Sequence, residues 1–163
     1  MPVIFNFYPE KCCACGACAI ACMDQRDIRP DQNPIRKIIT YEKDKKQISL
    51  SISCLHCSDA PCIPACPVNC IYKDSKSGLT LYDNTYCIGC RSCEKACPYD
   101  AITFTSNNKM EKCDGCYWRI FYDMEPACTK ACPTGALICR MTGNREHLNV
   151  PILFNEYKIN NTK

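Results

Sequence analysis

Sixteen of the nineteen cysteines in this 163-residue chain fall into four runs of four. No other feature constrains the fold as tightly. The first run is Cys12-x2-Cys15-x2-Cys18-x3-Cys22, and the second is Cys54-x2-Cys57-x4-Cys62-x3-Cys66, followed by Pro67. The third is Cys87-x2-Cys90-x2-Cys93-x3-Cys97, followed by Pro98, and the fourth is Cys113-x2-Cys116-x11-Cys128-x3-Cys132, followed by Pro133. At about 12% of the chain, cysteine is frequent enough to dictate architecture. The apolar content of 47% includes it; without cysteine roughly 35% remains, a thin basis for an aliphatic core. Disulfides or bound metal must supply the rest.

Residues 1–9 contain no basic stretch followed by an apolar run, so a secretory signal is not expected. No window approaches the length of apolar chain needed to cross a bilayer, and mean hydropathy is −0.25, so direct membrane insertion is not expected. A chain of this kind is read as cytoplasmic, with export alongside a signal-bearing partner left open. Clustered cysteines in such a chain, odd in number, point to metal rather than to disulfides. The formal charge of +3 is dispersed and contains no basic block, which argues against a nucleic-acid partner.

Runs one and three carry the bacterial ferredoxin spacing; runs two and four are the same run with an enlarged gap before the third cysteine. A C-x2-C-x2-C loop curls around one cuboidal cluster and offers it three thiolates and several backbone N–H groups. The x3 gap then places the fourth cysteine one helical turn further on, facing away from that loop, where it can serve a second cluster. The trailing proline ends the turn; run one continues with Met23 instead, so its helix is expected to run on. Structural zinc in a four-cysteine site is the alternative for any isolated C-x2-C pair. Four runs, three of them closing with Cys-Pro, favour iron–sulfur.

A short repeat supports duplication. The segments CPVNCI at 66–71, CPYDAI at 97–102 and CPTGAL at 132–137 are three versions of one turn leading into a strand. Cys70 stands where the other two have alanine and reads as a small core residue; Cys13 and Cys139 also fall outside the ligand register. Hairpins are expected from 35–42 to 47–53, from 71–72 to 79–82, and from 102–104 to 109–110. His56 reads as a neighbour of a metal loop rather than a ligand, and Trp118 as packing. The tail, 142–163, reads as a strap over the domain or an arm for a partner. No nucleophile, phosphate loop or dinucleotide fingerprint is present, so no catalytic residues are assigned.

The run CDGCYWR at 113–119, with Lys112, CIGCRSCEKACPY at 87–99 and CLHCSDAPC at 54–62, resembles the four-cluster electron-transfer subunits of the dimethyl sulfoxide reductase family. Iron–sulfur subunits of formate dehydrogenases and hydrogenases share the plan. The resemblance implies an α+β fold of duplicated, nested bacterial 2[4Fe-4S] ferredoxin-like modules with short hairpins and short helices. Residues 1–34 and 106–141 would form the outer module, 35–53 a hairpin insertion, and 54–105 the inner module. It further implies four [4Fe-4S] clusters, held by Cys12, Cys15, Cys18 and Cys132; by Cys22, Cys113, Cys116 and Cys128; by Cys54, Cys57, Cys62 and Cys97; and by Cys66, Cys87, Cys90 and Cys93. Some relatives lack the cysteine at the place of Cys90 and hold three irons there; its presence here implies four. The implied partner is a large catalytic oxidoreductase subunit carrying a molybdenum or tungsten pterin, with a second redox subunit also conceivable. A free-standing polyferredoxin, or a subunit of a hydrogenase or aldehyde oxidoreductase complex, is the alternative. Four clusters at −2 each would take the formal charge to about −5.

Overall fold

The computed structural model describes residues 2–141 and 150–161, with side chains of the last helix described for residues 153–159. Four two-stranded antiparallel sheets organise these residues. Strands β2 (Lys37–Lys43) and β3 (Lys46–Ile52) form the longest hairpin. Asp44 and Lys45 between them both take positive φ, 50° and 59°, the turn whose twist suits a two-residue hairpin. β4 (Ile71–Lys73) pairs with β5 (Thr80–Tyr82), and β6 (Ile102–Phe104) with β7 (Met110–Lys112). All three hairpins fall where the β-rich runs and polar turns put them. The remaining sheet joins distant parts of the sequence: β1 (Ile4–Phe7) pairs with β8 (Leu137–Arg140), Ile4 opposite Arg140 and Phe7 opposite Leu137.

The helices are short and rise from the cysteine runs. α1 (Ala17–Gln25) passes Cys22 and continues to Gln25, because no proline follows the last cysteine of its run. α2 (Ser92–Ala96) stops at Cys97, before Pro98. α3 (Tyr117–Phe121) and α4 (Ala127–Lys130) occupy the enlarged gap of run four. The second run departs from the expected helical spacer: residues 61–65 form consecutive turns. Pro64 lies inside its x3 gap and lacks the N–H that a helical turn would use.

Repetition is visible in the backbone as well as in the letters. The second spacer residue of the first C-x2-C pair in each run is left-handed: Ala14 at φ 56°, His56 at 49°, Gly89 at 70° and Gly115 at 72°. The same is true of the third residue after the cysteine in each Cys-Pro turn, at Asn69, Asp100 and Gly135. Glycine is required at only two of these places. A Cβ on Gly89 would collide with Asn108, and one on Gly115 would lie 2.8 Å from the side chain of Leu79.

Burial is divided among several small clusters, most of them built partly of cysteine. One gathers Phe7, Tyr41, Leu50, Ile52 and Leu137 with Cys18 and Cys128; a second gathers Ile71, Ile102, Phe104 and Met110 with Cys62, Cys70 and Cys93. From β3 onward, Ile48, Leu50 and Ile52 alternate with Ser49, Ser51 and Ser53. An alternating strand ordinarily leaves its polar face to water, yet all three serines are buried. Arg36 covers that face, donating to the Oγ atoms of Ser51 and Ser53 at 2.8 and 2.7 Å.

The last helix, α5 (Val150–Asn161), lies over the β2–β3 hairpin. Phe154 enters the first core cluster, with Leu153 and Tyr157 beside it. Lys43 pairs with Glu156 at 2.8 Å and Lys158 with Asp100 at 2.9 Å. Residues 142–149, also part of the tail expectation, lie outside the described residues. Among the described residues no helix is long and apolar enough to cross a membrane.

Candidate metal centres

The left-handed spacer residue that opens each run bends the chain sharply between its first two cysteines. What closes each site is a cysteine from elsewhere. Cys12, Cys15, Cys18 and Cys132 line one small cavity of about 20 Å³ together with Phe7, Ile38, Ser51 and Leu137. Cys54, Cys57, Cys62 and Cys97 line a second of the same size, about 20 Å³, with Pro61, Thr80, Tyr99 and Ile102. In both, a run's first three cysteines meet the last cysteine of another run.

Thiols of the remaining runs also lie near enough to act on one another's charge. Burial pushes Cys22 up to about 11, and Cys128 and Cys116 add to the shift. Cys113, fully desolvated, is raised further, with Cys128, Cys54 and Cys22 contributing against the pull of Arg36. Burial likewise lifts Cys93 to about 11, and its thiol neighbours are Cys66 and Cys87. Cys90 is exposed, and hydrogen bonds from Ser92 hold its thiol below the ordinary value; no described contact ties it to the other three. Every ligand in such a centre is a thiolate, so these buried thiols must lose their protons when metal enters.

Backbone donors already face several sulfurs. The N–H groups of Gly115, Met110 and Leu137 approach the Sγ atoms of Cys113, Cys87 and Cys132 at 3.3, 3.4 and 3.4 Å. Burial alone would raise Cys132, but the donors at Leu137 and Thr134 outweigh it and the thiol is lowered. Such bonds favour the thiolate and are among the features that set cluster potentials.

Two cations are buried among these sulfurs. Lys112 has no exposed surface. Its ammonium donates to the carbonyls of Thr80 and Cys113 and lies 3.5 Å from Cys54 Sγ, three acceptors for its three hydrogens. Arg36, 4% exposed, binds Ser51 and Ser53 while its Nε finds no partner. Neither meets a carboxylate among the described residues. Leaving a buried charge uncompensated costs roughly 3–5 kcal/mol, so both positions suit a site that receives anionic groups. A [4Fe-4S] core with four thiolates is such a group, carrying about −2. A single ion fits less well: among the described residues no three His, Cys, Asp or Glu side chains converge closely enough to hold one, as tetrahedral zinc would demand.

Cysteine spacing gives no role to Arg36, and Lys112 enters only through the resemblance; a lone charge beside or inside a β-rich run has no periodicity that marks it as buried. His56 is buried as a loop neighbour, with Nδ1 accepting the Thr80 N–H at 3.1 Å and the ring stacked on Phe5. Cys70 is buried and its N–H reaches Cys66 Sγ at 3.3 Å. Trp118 corrects the packing expectation. It is 66% exposed, one of a row of edge-to-face rings with Phe121 and Tyr122, because the five-residue α3 turns only Ile120 inward.

Hairpins of three-residue strands around cysteine loops, with sulfurs gathered on small cavities, define an iron–sulfur protein of the ferredoxin kind. Residues 45–142 match the 4Fe-4S dicluster domain. Over 147 residues the sequence is 36% identical to the B subunit of the anaerobic dimethyl sulfoxide reductase of Haemophilus influenzae, covering 82% of this chain and 71% of that one. It is 34% identical over 160 residues to the formate dehydrogenase iron–sulfur subunit of Wolinella succinogenes (82% and 79% covered). Identity to the arsenate respiratory reductase iron–sulfur subunit of a Shewanella species is 40% over 100 residues (60% and 42%). The chain therefore belongs to the 4Fe-4S dicluster family and, within it, to the iron–sulfur subunits of the dimethyl sulfoxide reductase type.

Proposed function

We propose that this chain is a four-cluster electron relay serving a large catalytic oxidoreductase subunit with a molybdenum or tungsten pterin. The observation that carries the reading is the exchange of cysteines between runs: the cavity opened by run one is closed by Cys132, and the cavity opened by run two by Cys97. On this reading the ligand sets are Cys12, Cys15, Cys18 and Cys132; Cys22, Cys113, Cys116 and Cys128; Cys54, Cys57, Cys62 and Cys97; and Cys66, Cys87, Cys90 and Cys93. The first two sets belong to an outer module of residues 1–34 and 106–141, the last two to an inner module of 54–105. Support for adjacency of the modules comes from Cys113 and Cys54, close enough to act on each other's charge.

When bound, the clusters supply one-electron transfer. The protein's share is to hold thiolates, exclude water and fix the order of the sets. All sixteen thiols are consumed in closing four sets, so none leaves a position open for substrate, and catalysis belongs to the partner. A cytoplasmic site of action, or export with the partner, follows the partner's own signal.

The test is anaerobic purification from the native source through a tag on this chain, reading iron, acid-labile sulfide, molybdenum, tungsten and partner masses together. About 16 irons, the load of four cuboidal clusters, with a large metal-pterin subunit is the expected result. A lone 18.5 kDa chain with the same iron would make it a free polyferredoxin. Zinc without iron or sulfide would refute the relay altogether.

A further inference from the structure

We infer that Lys112 and Arg36 are built-in counter-cations of the cluster row, each seated between two successive ligand sets and raising the reduction potential of both. The inference rests on the four-set reading above. Lys112 sits at the junction of the modules: its ammonium bonds the carbonyl of Cys113 at 2.8 Å and approaches the sulfur of Cys54 at 3.5 Å, so it touches the second set and the third. Arg36 occupies the junction before it. Its Nη1 binds Ser51 Oγ at 2.8 Å, and that hydroxyl is 3.3 Å from the sulfur of Cys18, in the first set. Cys128, Cys113 and Cys22, all of the second set, lie close enough to act on its charge.

Neither side chain has the company a structural cation keeps. Among the described residues no carboxylate pairs with either, both are buried, and the Nε of Arg36 has no partner. Other basic residues near the loops are different. Lys73 and Lys109 reach the carbonyls of Cys57 and Cys87 from exposed or half-exposed positions, where water screens them. A reduced cluster carries one more negative charge than an oxidised one. A fixed cation in a water-free site therefore stabilises the reduced form, and at an effective dielectric near 20 a charge within about 7 Å changes the reduction equilibrium roughly 10- to 100-fold. The second set faces both cations and is raised most.

The experiment is a potentiometric titration of the anaerobically purified holoprotein, followed by electron paramagnetic resonance, on wild type, Lys112→Met, Lys112→Arg, Arg36→Met and Arg36→Lys. In Lys112→Met two of four clusters should become harder to reduce, by roughly 10- to 100-fold, about 60–120 mV at 59 mV per tenfold. Arg36→Met should also shift two, and the two pairs should share one cluster. The charge-conserving variants should stay within about twofold of wild type, a contrast that a merely packing role would not produce. Four clusters with unshifted potentials in both methionine variants would overturn the inference. If a methionine variant loses a cluster, Lys112→Gln or Arg36→Gln decides. Loss there with retention in the charged variant supports the need for charge; loss in the charged variant too assigns a packing role and overturns it. A wild type without four clusters would defeat the four-set reading first, visible in its iron and sulfide count, and the inference would fall with it.

Discussion

Replacing Phe154 by alanine should detach the last helix without unfolding the sheets. The ring is 2% exposed and lies among Tyr41, Leu50 and Ile52. It is tilted against Tyr99 at 6.0 Å and stacked on Tyr157 at 6.1 Å. Leu153 and Tyr157 pack beside it, and the polar attachments of α5 lie nearer the surface. The Lys43–Glu156 and Lys158–Asp100 pairs are open to solvent, where such pairs contribute about 0–1 kcal/mol each, and Tyr41 adds one hydrogen bond to the Leu153 carbonyl at 3.3 Å. Truncating a buried phenylalanine costs about 3–5 kcal/mol. Since about 1.4 kcal/mol is a factor of ten, amide exchange in residues 155–159 should accelerate at least about 100-fold in the holoprotein, while β4–β7 keep their protection. Tyr99, which lines the cavity of Cys54, Cys57, Cys62 and Cys97, loses its cover at the same time. On the proposed ligand sets, the cluster of that set should then bleach faster in air than the others. Exchange within tenfold of wild type across 155–159 would show that the charged pairs, not the ring, hold the helix.

Gly115→Ala places a side chain at φ 72° with its Cβ 2.8 Å from Leu79, which is fully buried among Val3, Leu81 and Ile120. The left-handed backbone alone costs about 1–2 kcal/mol, so the melting temperature should fall by at least about 3–6 °C; an unchanged melt would mean that the loop relaxes freely. Cys70→Ala should leave the iron content at about 16, and a loss of four irons would move Cys70 into the ligand set. Cys90→Ala should convert one cluster to a three-iron centre, seen as a new paramagnetic signal in the oxidised protein; retention of four irons at that site would mean that another residue takes its place. Stripping iron with a chelator should abolish the cooperative thermal transition, because the aliphatic clusters are small and metal binding supplies folding energy. Persistence of that transition would show that packing alone holds the chain.

The local hairpins were readable because their signals are local. Asp44-Lys45 between β-branched runs specifies a tight turn, and the same holds for the polar segment from Asp74 to Gly78. Pairing of β1 with β8 has no such signal, since Ile4 and Arg140 meet with most of the sequence between them and no turn to announce it. The Pro64 spacer and the exposure of Trp118 depend on details that cysteine spacing does not carry. For the site, spacing singles out sixteen thiols and the loops that present them, but not the burial of Arg36 and Lys112. A β-strand with serine on one face gives no hint that the face is covered, and burial of a cation becomes intelligible only beside the sulfurs.

The union of β1 with β8 also dictates the timing of maturation. During synthesis, run one emerges from the ribosome long before run four, and β1 waits for β8 while the segment between them is made. On the proposed ligand sets, runs two and three can complete their two centres as soon as Cys97 appears, whereas Cys12, Cys15, Cys18 and Cys22 stay open until Cys113 to Cys132 have been made. On those sets the nascent polypeptide carries four unligated thiols through that whole interval. Closing them late joins a very wide loop, whose entropic cost grows only slowly with length. On those sets the inner runs can be filled while synthesis continues, and the outer runs only near its end.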